Sequence, residues 1–201
     1  MPWSPTSLFA EVGLRVDGTV QWGQPPSTRR PGVYAISVNS DPSDHAAFPG
    51  TAPISEERIA EWISRVPTFT LRGCSMPQAS DVVEVLGSFW LIDEPIIYIG
   101  KASSLRQRLG QYFRHELGDR RPHAGGHWIK TLECLQSTFI HYAETATESD
   151  ARKKEDDALA IFKAGVSSQH RSRITNPIPF ANREHPRGSR KQRDIGHDVL
   201  R

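Results

Sequence analysis

"IIYIGKASSLRQRLGQYF", residues 96–113, contains a change of period that decides the fold. Ile96, Ile97, Tyr98 and Ile99 have the β-branched and aromatic composition of a strand, and the run stops at Gly100. After Lys101 and the pair Ser103-Ser104 the period becomes helical. Leu105, Leu109, Tyr112 or Phe113, and Glu116 or Leu117 form a stripe, Ser104 stands at the cap, and Gly118 sits where a helix-ending glycine belongs. A strand running into a basic helix is a common way to hold a phosphate. It is also an ordinary strand-to-helix connection, and the rest of the chain has to decide between them.

Outward from this stretch, "GVYAISV" (32–38) reads as a strand with Tyr34, Ile36 and Val38 on one face. "STFIHYAE" (137–144) is a third strand. Between the first two lies an insertion, 39–94, with two helices. Ser55 caps a stripe of Ile59, Trp62, Ile63 and Val66, and Ser80 caps one of Val83, Leu86 and Trp90. Trp128 to Leu135 reads as a short helix, and Glu148 to about Ala164 as a long one ended by Gly165. Residues 1–31 are Pro-rich and read as irregular, and 183–201 as a basic tail. Strand, insertion, strand, helix, strand, helix describes an α/β chain of the layered α+β kind.

The 201 residues fit one domain with a real core. Mean hydropathy of −0.50 and the lack of any apolar run near ~20 residues argue against a membrane span. The N-terminus has no signal-peptide pattern, and Cys74 and Cys134 are too few for a disulfide framework, so a cytoplasmic location is expected. The net charge of +2 conceals a partition. Residues 39–96 carry three basic residues against nine acids, 97–130 seven against two, and 171–201 eight against three. Segregated positive charge attracts polyanions; a solvated face and a basic tail are the plainer explanation.

Two residues resist a purely structural explanation. Arg108 shares one side of its helix with Leu105 and Tyr112, at the margin of the apolar stripe. It must snorkel to water or meet an anion. Glu155 aligns with Leu159 and Phe162 and so faces inward, which costs several kcal/mol unless the carboxylate is paired, protonated or on a cation. It reads either as a structural ion pair, with Arg108 as a partner, or as a ligand of Mg²⁺, which is often held by one or two carboxylates. His123 and His127 have a zinc-like spacing with Cys134 beyond them, but no fourth ligand stands out.

"GVY" at 32–34 and "YIG" at 98–100, followed by "KASSLRQRL", resemble the signature of the GIY-YIG nuclease superfamily. The stretch "YIGKASSLRQRLGQYF" is most similar to the N-terminal incision module of the bacterial excision-repair nuclease. The resemblance implies a small central antiparallel sheet of about three strands flanked by helices, a nuclease domain over 32–182, and a site of Tyr34, Tyr98, Lys101, Arg108, Tyr112, Glu155 and Asn182. Asn176 is the second choice for the asparagine. It also implies Mg²⁺, with Mn²⁺ as a substitute, on Glu155. The 65 positions from Gly32 to Ile97 exceed the family's usual gap, as does the distance from Glu155 to Asn182.

The expected activity is therefore metal-dependent hydrolysis of DNA phosphodiesters, by a type II restriction or mobile-element enzyme or by a structure-specific repair nuclease. In this scheme a Tyr34 with phenolate character orients or deprotonates water, Arg108 grips phosphate oxygens, and Lys101 and Tyr98 support them. Arg106, Arg114, Arg120, Arg121, Lys130, Arg187, Arg190 and Lys191 are the expected DNA contacts. Cutting both strands of a palindrome would call for a homodimer, with Trp62, Ile63 and Trp90 either at its interface or covering the sheet. The rival classes are a nucleic-acid-binding module without turnover and an interaction scaffold using the acidic insertion.

Overall fold

The structure, a computed structural model, describes residues 1–119, 126–174, 176–182 and 195–197. Arg120, Arg121, His123, Arg187, Arg190 and Lys191 lie outside the described residues.

In chain order the elements are α1 (Pro5–Glu11), β1 (Gly18–Gln21), β2 (Gly32–Ser37), α2 (Glu56–Arg65), β3 (Phe69–Leu71), β4 (Cys74–Ser75), α3 (Ala79–Gly87) and β5 (Ile96–Ala102). There follow α4 (Leu105–Arg114), α5 (His127–Lys130), a 3-10 turn (Glu133–Ser137), β6 (Phe139–Glu144), α6 (Glu148–Gly165), α7 (Ser168–Arg173) and β7 (Ile195–His197). The chain is mixed α and β around an antiparallel sheet of order β1-β6-β2-β5. That is four strands where about three are expected. The addition is β1, a short strand at the far edge.

The N-terminal thirty-one residues are thus not irregular. Ser4 caps α1 reciprocally with Ser7, and Pro5 begins it, a placement that wastes no donor. Leu8 and Phe9 carry α1 into the core, alongside α6. α4 also ends sooner than expected, because His115 turns to an extended conformation; Gly118 takes φ +88° in the following loop and leaves the helix end to His115.

The insertion packs into the rest of the chain, with Trp62 stacked on His127 and Trp90 edge-on to Phe180. Trp62, Ile63 and Trp90 are buried within the chain, so they cover the fold and offer no dimer interface. Arg58 of α2 donates from Nη1 to the carbonyls of Lys130 and Leu132, at 3.0 and 2.8 Å, which clamps the insertion to the segment after α5. A hairpin of β3 and β4 turns through Arg72 and Gly73, both at positive φ, as is Met76 just past β4, and β7 pairs with the other side of β3. Among the described residues no helix is long and apolar enough to cross a membrane.

Sheet register positions the site. Tyr34 of β2 stands directly between Gly100 of β5 and Tyr142 of β6, and directly opposed residues share a face. Gly32, Tyr34, Ile36, Tyr98, Gly100 and Tyr142 therefore lie on one face, and α4 packs there through Leu105 and Tyr112. Lys101 alternates to the other face, opposite Val33.

Candidate active site

The site grows from a missing side chain. A Cβ on Gly100 would come within 2.8 Å of the Tyr34 hydroxyl and 2.6 Å of the Tyr98 ring. Only glycine lets the two phenols cross here, with ring centroids 5.8 Å apart. Tyr112 closes the row, 5.8 Å from Tyr98 and edge-on to it. Trp22, just past β1, braces Tyr112 from behind at 5.4 Å. All four tyrosines of the chain are on this face, since Tyr142 is the register partner of Tyr34 and lies over Gly18. Tyr142 and Trp22 are the supporting residues that sequence reading passed over. A four-residue strand in a Pro-rich segment gave only a weak signal for their surroundings.

Burial governs the electrostatics. Desolvation first, then Tyr98, Tyr112 and Glu155, push the Tyr34 phenol well above its ordinary value, and Arg108 alone opposes them. The expected phenolate character of Tyr34 is therefore reversed: it is a neutral phenol. Tyr98 is only partly buried; desolvation and Glu155 raise it to about 12, against the pull of Arg108 and of the neighbouring Tyr34 hydroxyl.

Arg108 is half-buried, and neither a hydrogen bond nor an ion pair engages its guanidinium among the described residues. Glu155 is likewise half-buried and makes no ion pair among them, so the structural Glu155–Arg108 bridge is absent. Desolvation raises Glu155 to about 7, partly offset by the Lys101 charge and by the Lys101 backbone N–H. The Lys101 ammonium also stands 4.0 Å from Glu148.

The two asparagines separate. Asn182 reaches the outer edge of β5, where its Oδ1 accepts from the Ile99 N–H at 2.9 Å and its Nδ2 donates to the Ile99 carbonyl at 2.8 Å. The Ala181 N–H bonds the Ile97 carbonyl at 2.8 Å. Asn182 thus does the work of a neighbouring strand, beside Tyr98 and Gly100. Asn176 is buried elsewhere, its carbonyl taken by the Ile178 N–H.

Of the expected DNA contacts within the described residues, Arg106 and Arg114 are exposed. Lys130 is not: its Nζ donates to the Phe113 carbonyl at 3.0 Å and lies 5.0 Å over Trp22, and burial lowers it to about 8. It caps the end of α4. His127 is buried in a stack on Trp62, with His115 at 4.8 Å, and no metal-holding cluster of three or more His, Cys, Asp or Glu occurs among the described residues.

An inward carboxylate raised to about 7, with one backbone donor and, among the described residues, no cationic side chain paired to it, suits a small divalent cation that takes its remaining ligands from water and phosphate. Next to it stand the Arg108 guanidinium, unpaired among the described residues, and a row of phenols. The arrangement can receive a phosphodiester and a cation together.

No family model matches the chain, and no solved structure does. Residues of this chain are 28% identical over 93 positions to UvrABC system protein C of Serratia proteamaculans (strain 568), covering 46% of this chain and 14% of that protein. They are 29% identical over 90 positions to UvrABC system protein C of Erwinia tasmaniensis, covering 45% and 13%. The similarity is distant, and the matched part spans about one seventh of those relatives.

Proposed function

We propose that the chain is a divalent-metal-dependent endonuclease of the GIY-YIG type that hydrolyses DNA phosphodiesters. The observation that carries this reading is the pairing of opposites at one point: Arg108 and Glu155, both half-buried and neither neutralised by a side-chain partner among the described residues, beside Tyr34 and Tyr98. Leaving such groups unpaired costs stability, which a bound phosphate and cation would recover. The resemblance carried by residues 98–109 and the similarity to UvrABC system protein C support it.

Hydrolysis joins a water oxygen to phosphorus and breaks the bond to one sugar oxygen. Arg108 would hold the non-bridging oxygens and stabilise the charge that builds on them. Tyr34, a neutral phenol, would orient the attacking water by accepting its hydrogen bond. The proton would leave as the new bond forms, the Tyr98 hydroxyl accepting it while giving its own to solvent water, and the departing sugar oxygen would take a proton from water. Glu155 would hold Mg²⁺, or Mn²⁺ in its place, which supplies neutralising charge at the departing oxygen. Asn182 and Gly100 would fix the geometry, and Tyr112 the position of Tyr98.

The test is incubation of the purified chain with supercoiled plasmid and with genomic DNA, in Mg²⁺ or EDTA, beside Tyr34→Phe and Glu155→Ala. Mg²⁺-dependent cutting lost in both variants is expected. Discrete fragments would assign restriction-type specificity, and nicking or smearing a structure-specific or general nuclease. DNA bound but left uncut in Mg²⁺ would return the chain to the binding-module class.

A further inference from the structure

The outward side of α4 carries charge of one sign. Leu105, Leu109 and Tyr112 are buried, Arg106, Gln107 and Arg114 are exposed, and Gly110 and Gln111 lie between. No acid occurs from residue 97 to residue 115. Of the acids flanking this helix, Glu116 and Asp119 are held by Arg65 at 3.0 and 3.4 Å, and Glu144, opposite Gly32, by Arg30 at 3.2 Å. Arg106 and Arg114 make no hydrogen bond or ion pair among the described residues.

A further arginine is fixed beside them. The carbonyls of Thr28 and Arg30 each accept a first-turn N–H of α4, from Arg106 and Leu105, both at 3.0 Å, and Pro31 accepts from the Thr145 N–H at 2.8 Å. Arg29 lies between two of these anchors. It is exposed, unpaired among the described residues, and projected from held backbone next to Arg106.

Gly110 stands one turn from each helix arginine. Glycine inside a helix is less stable than alanine, and nothing among the described residues requires it here. Its φ is not positive, and a Cβ would meet only the Arg114 Nη1 at 3.7 Å, an ordinary contact. A glycine with no packing role among the described residues, between two arginines unpaired among them, suits a surface that another molecule approaches closely.

The geometry points to the outer face of α4 as a docking surface for duplex DNA, with Arg29, Arg106 and Arg114 on its phosphates and Gly110 at the closest approach. This rests on the nuclease reading of the adjoining site. A ten-residue helix, about 15 Å long, enters the B-form major groove, about 12 Å wide, whereas the major groove of A-form RNA is too narrow for it. Gln107 and Gln111 carry the donors and acceptors that meet base edges. Arg108, at the margin of the same helix, faces the backbone bordering the groove.

The test uses the full chain carrying Glu155→Ala, in EDTA, and the anisotropy of a labelled random-sequence DNA duplex across a salt series. Adding Arg106→Ala with Arg114→Ala is expected to weaken binding about tenfold or more and to flatten the slope of log affinity against log salt by about 2. Gly110→Glu is expected to weaken binding comparably with helical circular dichroism unchanged, and Arg152→Ala on α6 to change nothing. Parent affinity and slope in the arginine and Gly110 variants would overturn the α4 surface while leaving the nuclease reading intact. A parent that binds no duplex DNA would instead remove the nuclease reading. Tighter binding of an RNA duplex by the parent would overturn the choice of DNA.

Discussion

Around the phenol of Tyr34, three groups and burial oppose ionisation, and Arg108 alone favours it. Removing the hydroxyl should therefore cost the fold little. Tyr34→Phe is expected to keep its melting temperature within about 2 °C of the parent while cleavage slows by about 10²–10⁴, the range for a lost acid–base group. Glu155 gives the pH dependence. Its folded-state value of about 7 lies above the ordinary 4.5. Between these values the folded chain holds a proton that the unfolded chain has lost, so this group's contribution to stability falls as pH rises through the window. Glu155→Gln is expected to be more stable than the parent at pH 8 by roughly 1–2 kcal/mol, with the difference vanishing in acid; thermal melts across pH would show it. Cation binding needs the carboxylate, so the Mg²⁺ demand for cleavage should climb about tenfold per pH unit below that value.

At the scale of elements, the outer edge of β5 is the part most exposed to damage. Asn182 satisfies both backbone groups of Ile99, and Asn182→Ala would leave them unpaired at a buried edge, at a cost of about 2–3 kcal/mol. Hydrogen exchange at the Ile99 amide should speed up in step. Gly100→Ala drives a methyl between Tyr34 and Tyr98 and is expected to destabilise by about 1–3 kcal/mol, seen as a lower melting temperature. Much of this level was legible in the sequence. The runs at 32–38, 96–99 and 137–144 became β2, β5 and β6, and the stripes of Ile59, Trp62 and Ile63 and of Leu159 and Phe162 became buried helix faces. β1 was not, because a strand of four residues starting at glycine, with alternate residues exposed, has too little pattern to stand out. The end of α4 was misplaced because Gly118 carries the same signal whether it ends a helix or turns a loop. For the site, Arg108 and Glu155 could be read from helical spacing. Whether they pair depends on distances between elements far apart in sequence, and so does the raised value of Tyr34.

For the molecule as a whole, the charge partition in the sequence has a spatial counterpart. The acidic insertion buries its aromatic residues against the rest of the chain, Trp62 on His127 and Trp90 on Phe180, and is bound by Arg58 to the chain near α5; among the described residues α4 keeps an exposed basic side. Cutting both strands would call for a second copy, and Trp62, Ile63 and Trp90 are unavailable to hold it. Arg108 gives the sharpest test, because no hydrogen bond or ion pair engages its guanidinium among the described residues and its loss should leave the fold unchanged. The measurement is the initial rate of plasmid nicking in Mg²⁺ by wild type and Arg108→Ala, prepared side by side and matched in melting temperature. The variant is expected to be slower by about 10²–10³. Equal rates would contradict it, and would mean that the cleavage, whatever its source, does not occur at this site.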